Sequence, residues 1–198
     1  MTSRTTKSQE PGDSGFTLIE TMVAVTILTL SIVGPLYVAD RAVVAAATAR
    51  DQLVANYLAQ EGIEYVRAMR DNEFLGAYAA GGTDVSTLAW DAFINGSSAG
   101  SIASCRSQAC TLDPVRPMGT GGGFALAPCS GSACGILYLS GGLYTEQSSG
   151  GATPTPFTRT IQATLVSAQD MHIVARVSWV SRGTAYTVSV ADHLTPWQ

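Results

Sequence analysis

A long, uncharged apolar segment near the amino terminus constrains this chain more than any other feature. Residues 22–39 read MVAVTILTLSIVGPLYVA, and their polar side chains are limited to Thr26, Thr29 and Ser31. As a helix, eighteen residues rise about 27 Å, which is close to the hydrocarbon thickness of a bilayer. The segment therefore predicts a membrane-crossing helix. Glu20 lies just before it, where a carboxylate is costly in lipid and thus a functional candidate.

The order of features differs from that of a secretory signal. Such a signal has its small-residue cleavage site after the apolar part. Here residues 15–20 read GFTLIE, so the small residue Gly15 precedes the apolar part. Cleavage at this point would keep the apolar helix in the mature protein. The hydrophobic content of 46% is near average, which argues against further membrane helices.

The GFTLIE motif and its apolar sequel resemble the processing site of type IV prepilins and of the pseudopilins of type II secretion. The resemblance implies that residues 1–15 are a leader, which a prepilin peptidase removes after Gly15 before methylating the amino group of Phe16. It assigns Thr17 and Glu20 to assembly with other pilin subunits by the pilus assembly machinery. Before assembly, the helix would lie in membrane lipid.

A charge pair is the role that we predict for Glu20. An α-amino group has a reference pKa near 7.7–8 and is mostly cationic at neutral pH. Among packed helices, the new amino group of one subunit could pair with Glu20 of its neighbour and set the axial register. The alternative is a simple membrane anchor, which leaves Glu20 unexplained.

The helix is predicted to extend beyond the membrane, over residues 16–71, with 16–39 as the transmembrane and assembly part. Good helix formers dominate its second half. One packing stripe recurs there at helical spacing: Val54, Leu58, Gly62, Tyr65 and Met69. Gly34 and Pro35 predict a kink, because proline removes a backbone donor. The run from LAQEGIE to RDN, within residues 58–72, resembles PilV-like minor pilins.

Residues 72–198 are predicted to form a globular head. A loop is expected at 76–82, followed by a short helix at 87–94 with Trp90 and Phe93 as core anchors. A strand at 135–139 would pair with one near 142–144. Three alternating runs within about 158–194 predict an antiparallel meander with one buried face. The expected fold is therefore α+β and pilin-like, a long helix packed on a small antiparallel sheet.

Four cysteines form two close pairs, Cys105 with Cys110 and Cys129 with Cys134. In a domain expected to face the oxidising side, an even count favours disulfides. We predict local pairing, with crossed pairing as an open alternative. A zinc site of four thiolates is a further alternative, which the oxidising compartment disfavours.

Other chemistry finds little support in the sequence. With 11 basic against 15 acidic residues and no basic cluster, no nucleic-acid partner is expected. No catalytic residues, metal or cofactor are predicted: His172 and His193 look solvent-facing, and Asp113 looks isolated. The sequence predicts a minor pilin, in the cytoplasmic membrane before assembly and in an extracellular pilus afterwards. The alternatives are a minor pseudopilin of a periplasmic pseudopilus and a membrane-tethered surface-binding module.

Overall fold

A computed structural model describes residues 15–81, 83–96, 99–129, 134–148 and 150–196. The leader predicted at 1–15 therefore lies outside the described residues except for Gly15. The chain divides into two units, residues 1–47 and 48–198. The second unit contains the sheets and the helical residues that pack on them.

The first element is the helix α1, Leu18–Ala79, which is 62 residues long. It continues through Pro35 as one helix, and the kink predicted there stays a prediction. The helix was expected to end near residue 71, but it ends at Ala79, about two turns later. Gly76, which was expected to begin a loop, therefore lies inside the helix. The half-buried side chains of Phe74 and Ala77 explain the extension, because packing outweighs the roughly 1 kcal/mol cost of one helical glycine.

The main sheet has five antiparallel strands. In chain order they are β1, Cys110–Leu112; β2, Leu126–Pro128; β6, Thr158–Ser167; β7, Asp170–Ser181; and β8, Thr184–Leu194. Their spatial order is β2-β1-β6-β7-β8. The last three strands are the predicted meander. Strands β1 and β2 were not predicted, because each has three residues within a stretch rich in glycine and serine.

A second antiparallel sheet has the order β4-β3-β5. Its strands are β3, Tyr138–Ser140; β4, Leu143–Thr145; and β5, Thr153–Pro154. The β3–β4 pair confirms the predicted hairpin, although β3 begins later than expected. Two short helices complete the fold, α2 at Val85–Asn95 and α3 at Ser104–Ser107. In α2, Trp90 and Phe93 are buried, as predicted.

The core lies between the second half of α1 and one face of the main sheet. The sheet contributes the side chains predicted from alternation: Ile161, Ala163, Met171, Ile173, Ala175, Val177 and Trp179. The helix contributes Ala55, Leu58, Ala59, Gly62, Ile63, Val66 and Met69. Val54 and Tyr65 of the predicted stripe lie at its margins and are only partly buried. The helix therefore turns a slightly different face to the sheet than predicted.

Small side chains let α1 approach the sheet closely. At Gly62, an added Cβ atom would lie 2.6 Å from Ile161 Cδ1 and 3.1 Å from Ala175 Cβ. Cβ atoms essentially never come as close as 2.6 Å to another atom, and 3.1 Å is tighter than most real contacts. Glycine is thus favoured at this position by contact rather than by backbone conformation, because any larger residue would displace the end of the Ile161 side chain.

Candidate assembly helix and the polar network of the head

The predicted processing and assembly residues lie together at the start of α1. Because α1 begins at Leu18, Thr17 is its N-cap residue and Glu20 lies three positions later. The Glu20 backbone N–H donates to Thr17 Oγ1 at 3.3 Å and to the Thr17 carbonyl at 3.1 Å. A threonine followed three residues later by glutamate is the sequence of a capping box. Thr17 thus has a local role in starting the helix.

The Glu20 side chain is exposed. Within the residues that the structure describes, its carboxylate makes no hydrogen bond or ion pair with another side chain. Its position in the first turn is favourable, since a negative charge there opposes the positive end of the helix dipole. The capping-box sequence, of which the structure shows the Thr17 half, and the helix dipole therefore provide a second explanation for an acid at residue 20.

The first part of α1 exposes a continuous apolar surface. It contains an 18-residue window with a mean hydropathy of 2.1, and none of that window is buried. Its length and composition are sufficient to cross a membrane. The exposed side chains include Leu18, Ile19, Met22, Val23, Val25, Ile27, Leu28, Leu30, Ile32, Val33, Leu36, Tyr37 and Val38. In water such a surface would be costly, so it needs lipid or other apolar helices around it.

The threonine and serine hydroxyl groups of this segment are satisfied within the helix. Thr26 and Thr29 donate to the carbonyls of Val23 and Thr26 at 2.8 Å and 2.9 Å. Ser31 donates to the Ile27 carbonyl at 2.7 Å. In lipid every polar group needs such an internal partner. The polar residues therefore do not prevent the segment from lying in an apolar environment.

Both disulfides of the head have the predicted local pairing. Cys105 bonds to Cys110 with a Cα–Cα distance of 5.3 Å, and Cys129 bonds to Cys134 with 4.8 Å. The crossed pairing was the wrong alternative, and no thiolate is left for the zinc site. The first disulfide is fully buried and joins α3 to β1, whereas the second lies nearer the surface.

A buried arginine joins α1 to the main sheet. Arg159, on β6, is 0% exposed. Its Nη1 atom donates to the Leu58 carbonyl at 3.1 Å and to the Glu61 carboxylate. Its Nη2 atom donates to the Leu112 carbonyl on β1 at 2.7 Å. Burial lowers the pKa of the Arg159 guanidinium, and the Glu61 carboxylate acts in the opposite direction.

Two further carboxyl groups lie close to this arginine. Asp113 is buried, and its carboxylate is 3.3 Å from Arg116 Nε. The prediction that Asp113 is isolated was therefore wrong. Glu146, which follows β4, accepts a hydrogen bond from the Thr111 hydroxyl of β1. Burial raises the pKa of Glu146, and the charge of Asp113 raises it further. The two sheets are thus linked through polar side chains as well as apolar ones.

Sequence reasoning missed Arg159, although a signal was present. Arg159 precedes Ile161 and Ala163 in β6 by two and four residues. Alternate residues of a strand share one face, so Arg159 lies on the buried face. A charged side chain at an inward position needs partners from elements distant in sequence, here residues 58, 61 and 112. The sequence pattern indicates that Arg159 faces inward, but it does not indicate which residues pair with it.

Comparison with known proteins identifies the amino-terminal motif. The prokaryotic N-terminal methylation motif matches residues 11–34, which include Gly15, Phe16 and Glu20. Neither the curated proteins nor the solved structures include a match to this chain. The matched motif and the exposed apolar helix that begins within it support a type IV pilin-like or pseudopilin-like protein.

Proposed function

We propose that the protein is a minor pilin, a non-enzymatic structural subunit of a type IV pilus. The observation that carries this proposal is the exposed apolar surface of α1, most of which lies within the methylation motif. In this scheme a prepilin peptidase cleaves after Gly15 and methylates Phe16. The helix then moves from lipid into a fibre core of similar polarity. This transfer changes apolar solvation little, so specific contacts must decide the position of each subunit.

Glu20 supplies that specific contact in our proposal. Its carboxylate would pair with the methylated amino group of Phe16 on a neighbouring subunit. The exposed position of the carboxylate supports this role, because another chain can reach it. In a fibre core a lone charge is costly, so only the register that pairs both charges is favoured.

Capping and charge pairing make different predictions for one substitution. Glutamine can replace glutamate in a capping box but carries no charge. If Glu20 sets register, Glu20→Gln and Glu20→Val both remain in the membrane and are lost from filaments. Glu64→Ala is the matched control, because Glu64 lies on the same helix with an exposed side chain. Normal incorporation of Glu20→Gln would refute the register role and leave capping as its explanation.

Filament shearing followed by mass spectrometry tests the class of the protein. A minor pilin is recovered in sheared filaments as a chain that starts at methylated Phe16. A processed chain that stays with the cell identifies the alternative, a minor pseudopilin. An unprocessed chain would refute both and leave a membrane-tethered binding module, for which the disulfide-closed loops of the head are the candidate contact surface.

A further inference from the structure

The two histidines of the chain come together on the main sheet. The sequence has no others. His172 on β7 and His193 on β8 are directly opposite each other in the antiparallel register. Their ring centroids are 4.7 Å apart. Their neighbours Met171 and Ile173 are buried in the core, so the alternation of the strand places the histidine pair on the outer face.

A carboxylate orients one of the two rings. Asp170 and His172 are two residues apart on β7 and lie on the same face of the sheet. The carboxylate oxygens of Asp170 lie 2.8 Å and 3.0 Å from His193 Nδ1. His193 Nδ1–H therefore donates to Asp170 in the neutral ring, and the lone pair is on Nε2. A carboxylate that holds a histidine in this tautomer is the usual outer partner of a metal-ligating imidazole.

We propose that His172 and His193 form a two-ligand site for a divalent transition metal ion, with Asp170 as the residue that positions His193. No set of three His, Cys, Asp or Glu side chains among the described residues is arranged to hold a metal. The site therefore offers two imidazoles, and water completes the coordination. This inference is independent of the proposed function.

The chemistry of the site defines which ions it binds. Imidazole nitrogens favour Cu²⁺, Ni²⁺ and Zn²⁺ over the oxygen-seeking Ca²⁺ and Mg²⁺. His193 is 57% exposed and Asp170 is 28% exposed by side chain, so a hydrated ion can reach them. Along β7 the next cation on the same face is Arg176, four residues or about 13 Å away. Repulsion of the ion by this cation is accordingly weak.

The test is calorimetric titration of the full-length, untagged protein in detergent with Zn²⁺, Ni²⁺ and Cu²⁺ chlorides. We expect one equivalent of ion per chain, tightest for Cu²⁺, with no competition from excess Ca²⁺. His172→Gln and His193→Gln should each raise the half-saturation concentration at least tenfold. Asp170→Asn should raise it about tenfold, as is typical of an outer partner. Asp91→Asn, an exposed acid on α2, is the control and should leave it unchanged.

Electron paramagnetic resonance of the Cu²⁺ complex gives a readout that does not depend on affinity. Hyperfine coupling to two imidazole nitrogens is expected in the wild type and to one in each histidine variant. Circular dichroism in the near ultraviolet verifies that every variant is folded. Binding by either histidine variant that equals wild-type binding would overturn the proposal. Failure of the wild type to bind any of the three ions saturably would overturn it as well.

Discussion

Gly62 tests how closely α1 and the main sheet are packed. In Gly62→Ala, the new Cβ atom would meet Ile161 Cδ1 at 2.6 Å and Ala175 Cβ at 3.1 Å. Adding a methyl group to a packed core costs about 1–3 kcal/mol. Alanine regains about 1 kcal/mol of helix propensity over glycine. We therefore expect Gly62→Ala to lower the free energy of unfolding by about 1 kcal/mol.

A second glycine of the same helix provides the matched control. At Gly76 an added Cβ atom would have no atom within 4 Å apart from its chain neighbours and the adjacent backbone of its own helix. Gly76→Ala should therefore show the propensity gain alone and raise the free energy of unfolding by up to about 1 kcal/mol. The two substitutions have the same chemistry and opposite expected signs, so the difference between them reports the contact with the sheet.

Ile161 identifies the atom responsible. Ile161→Val removes Cδ1 and alone should cost about 1 kcal/mol. In the Gly62→Ala background it should cost less, because it also relieves the overlap, with a coupling energy of at least about 0.5 kcal/mol. The assay is urea unfolding in detergent, followed by the fluorescence of the buried Trp90 and Trp179. If Gly62→Ala stabilised the protein as much as Gly76→Ala does, the close approach of helix and sheet would be refuted.

Three further predictions concern the polar network and the disulfides, and the same unfolding assay measures them. Arg159→Ala should lower the free energy of unfolding by about 1–3 kcal/mol, because it leaves the buried Leu58 and Leu112 carbonyls without their arginine donor. The exposed Arg176→Ala should change it by less than about 1 kcal/mol, and equal effects would contradict the network. The raised pKa of Glu146 means that its folded site disfavours the ionised form. Its contribution to stability is therefore present below the ordinary glutamate pKa and is lost as the pH rises through the raised value. Glu146→Gln should accordingly be stabilising at pH 7 but not at pH 4, and an equal effect at both would refute this. Loop entropy alone predicts that each disulfide contributes about 2 kcal/mol to the free energy of unfolding. Replacing Cys105 and Cys110 by alanines should lower that free energy by more, since both sulfurs are buried. The equally spaced second pair is the comparison, and its replacement should lower the free energy of unfolding by less.

The meander and the helix were predictable because their signals are local. Alternation over β6 and β7 placed Ile161, Ala175 and Val177 correctly on the buried face. On β8 the residues expected on that face are only partly buried. In α1, Leu58, Gly62 and Met69 were expected to pack and do so. Each assignment needed only periodicity within one segment, which a single sequence contains.

The missed features depend on contacts between distant segments. Strand β1 has three residues, and its pairing with β2 and β6 supplies the order that its composition lacks. His172 and His193 are 21 positions apart in sequence and become neighbours only through the register of β7 with β8. At Glu20 the sequence indicated the charge but not the cap, whose partner Thr17 becomes evident once the start of α1 is known.

The missing side chain at Gly62 and the buried Arg159 follow from one packing arrangement. A Cβ atom at Gly62 would lie 3.9 Å from Arg159 Cδ. The arginine therefore runs beside the glycine to reach the Leu58 carbonyl one turn earlier on α1. A helix held farther from the sheet would lengthen that hydrogen bond and leave the guanidinium short of a partner. We therefore expect substitutions at Gly62 and Arg159 to be non-additive in stability, because the close approach provides the arginine with its acceptor.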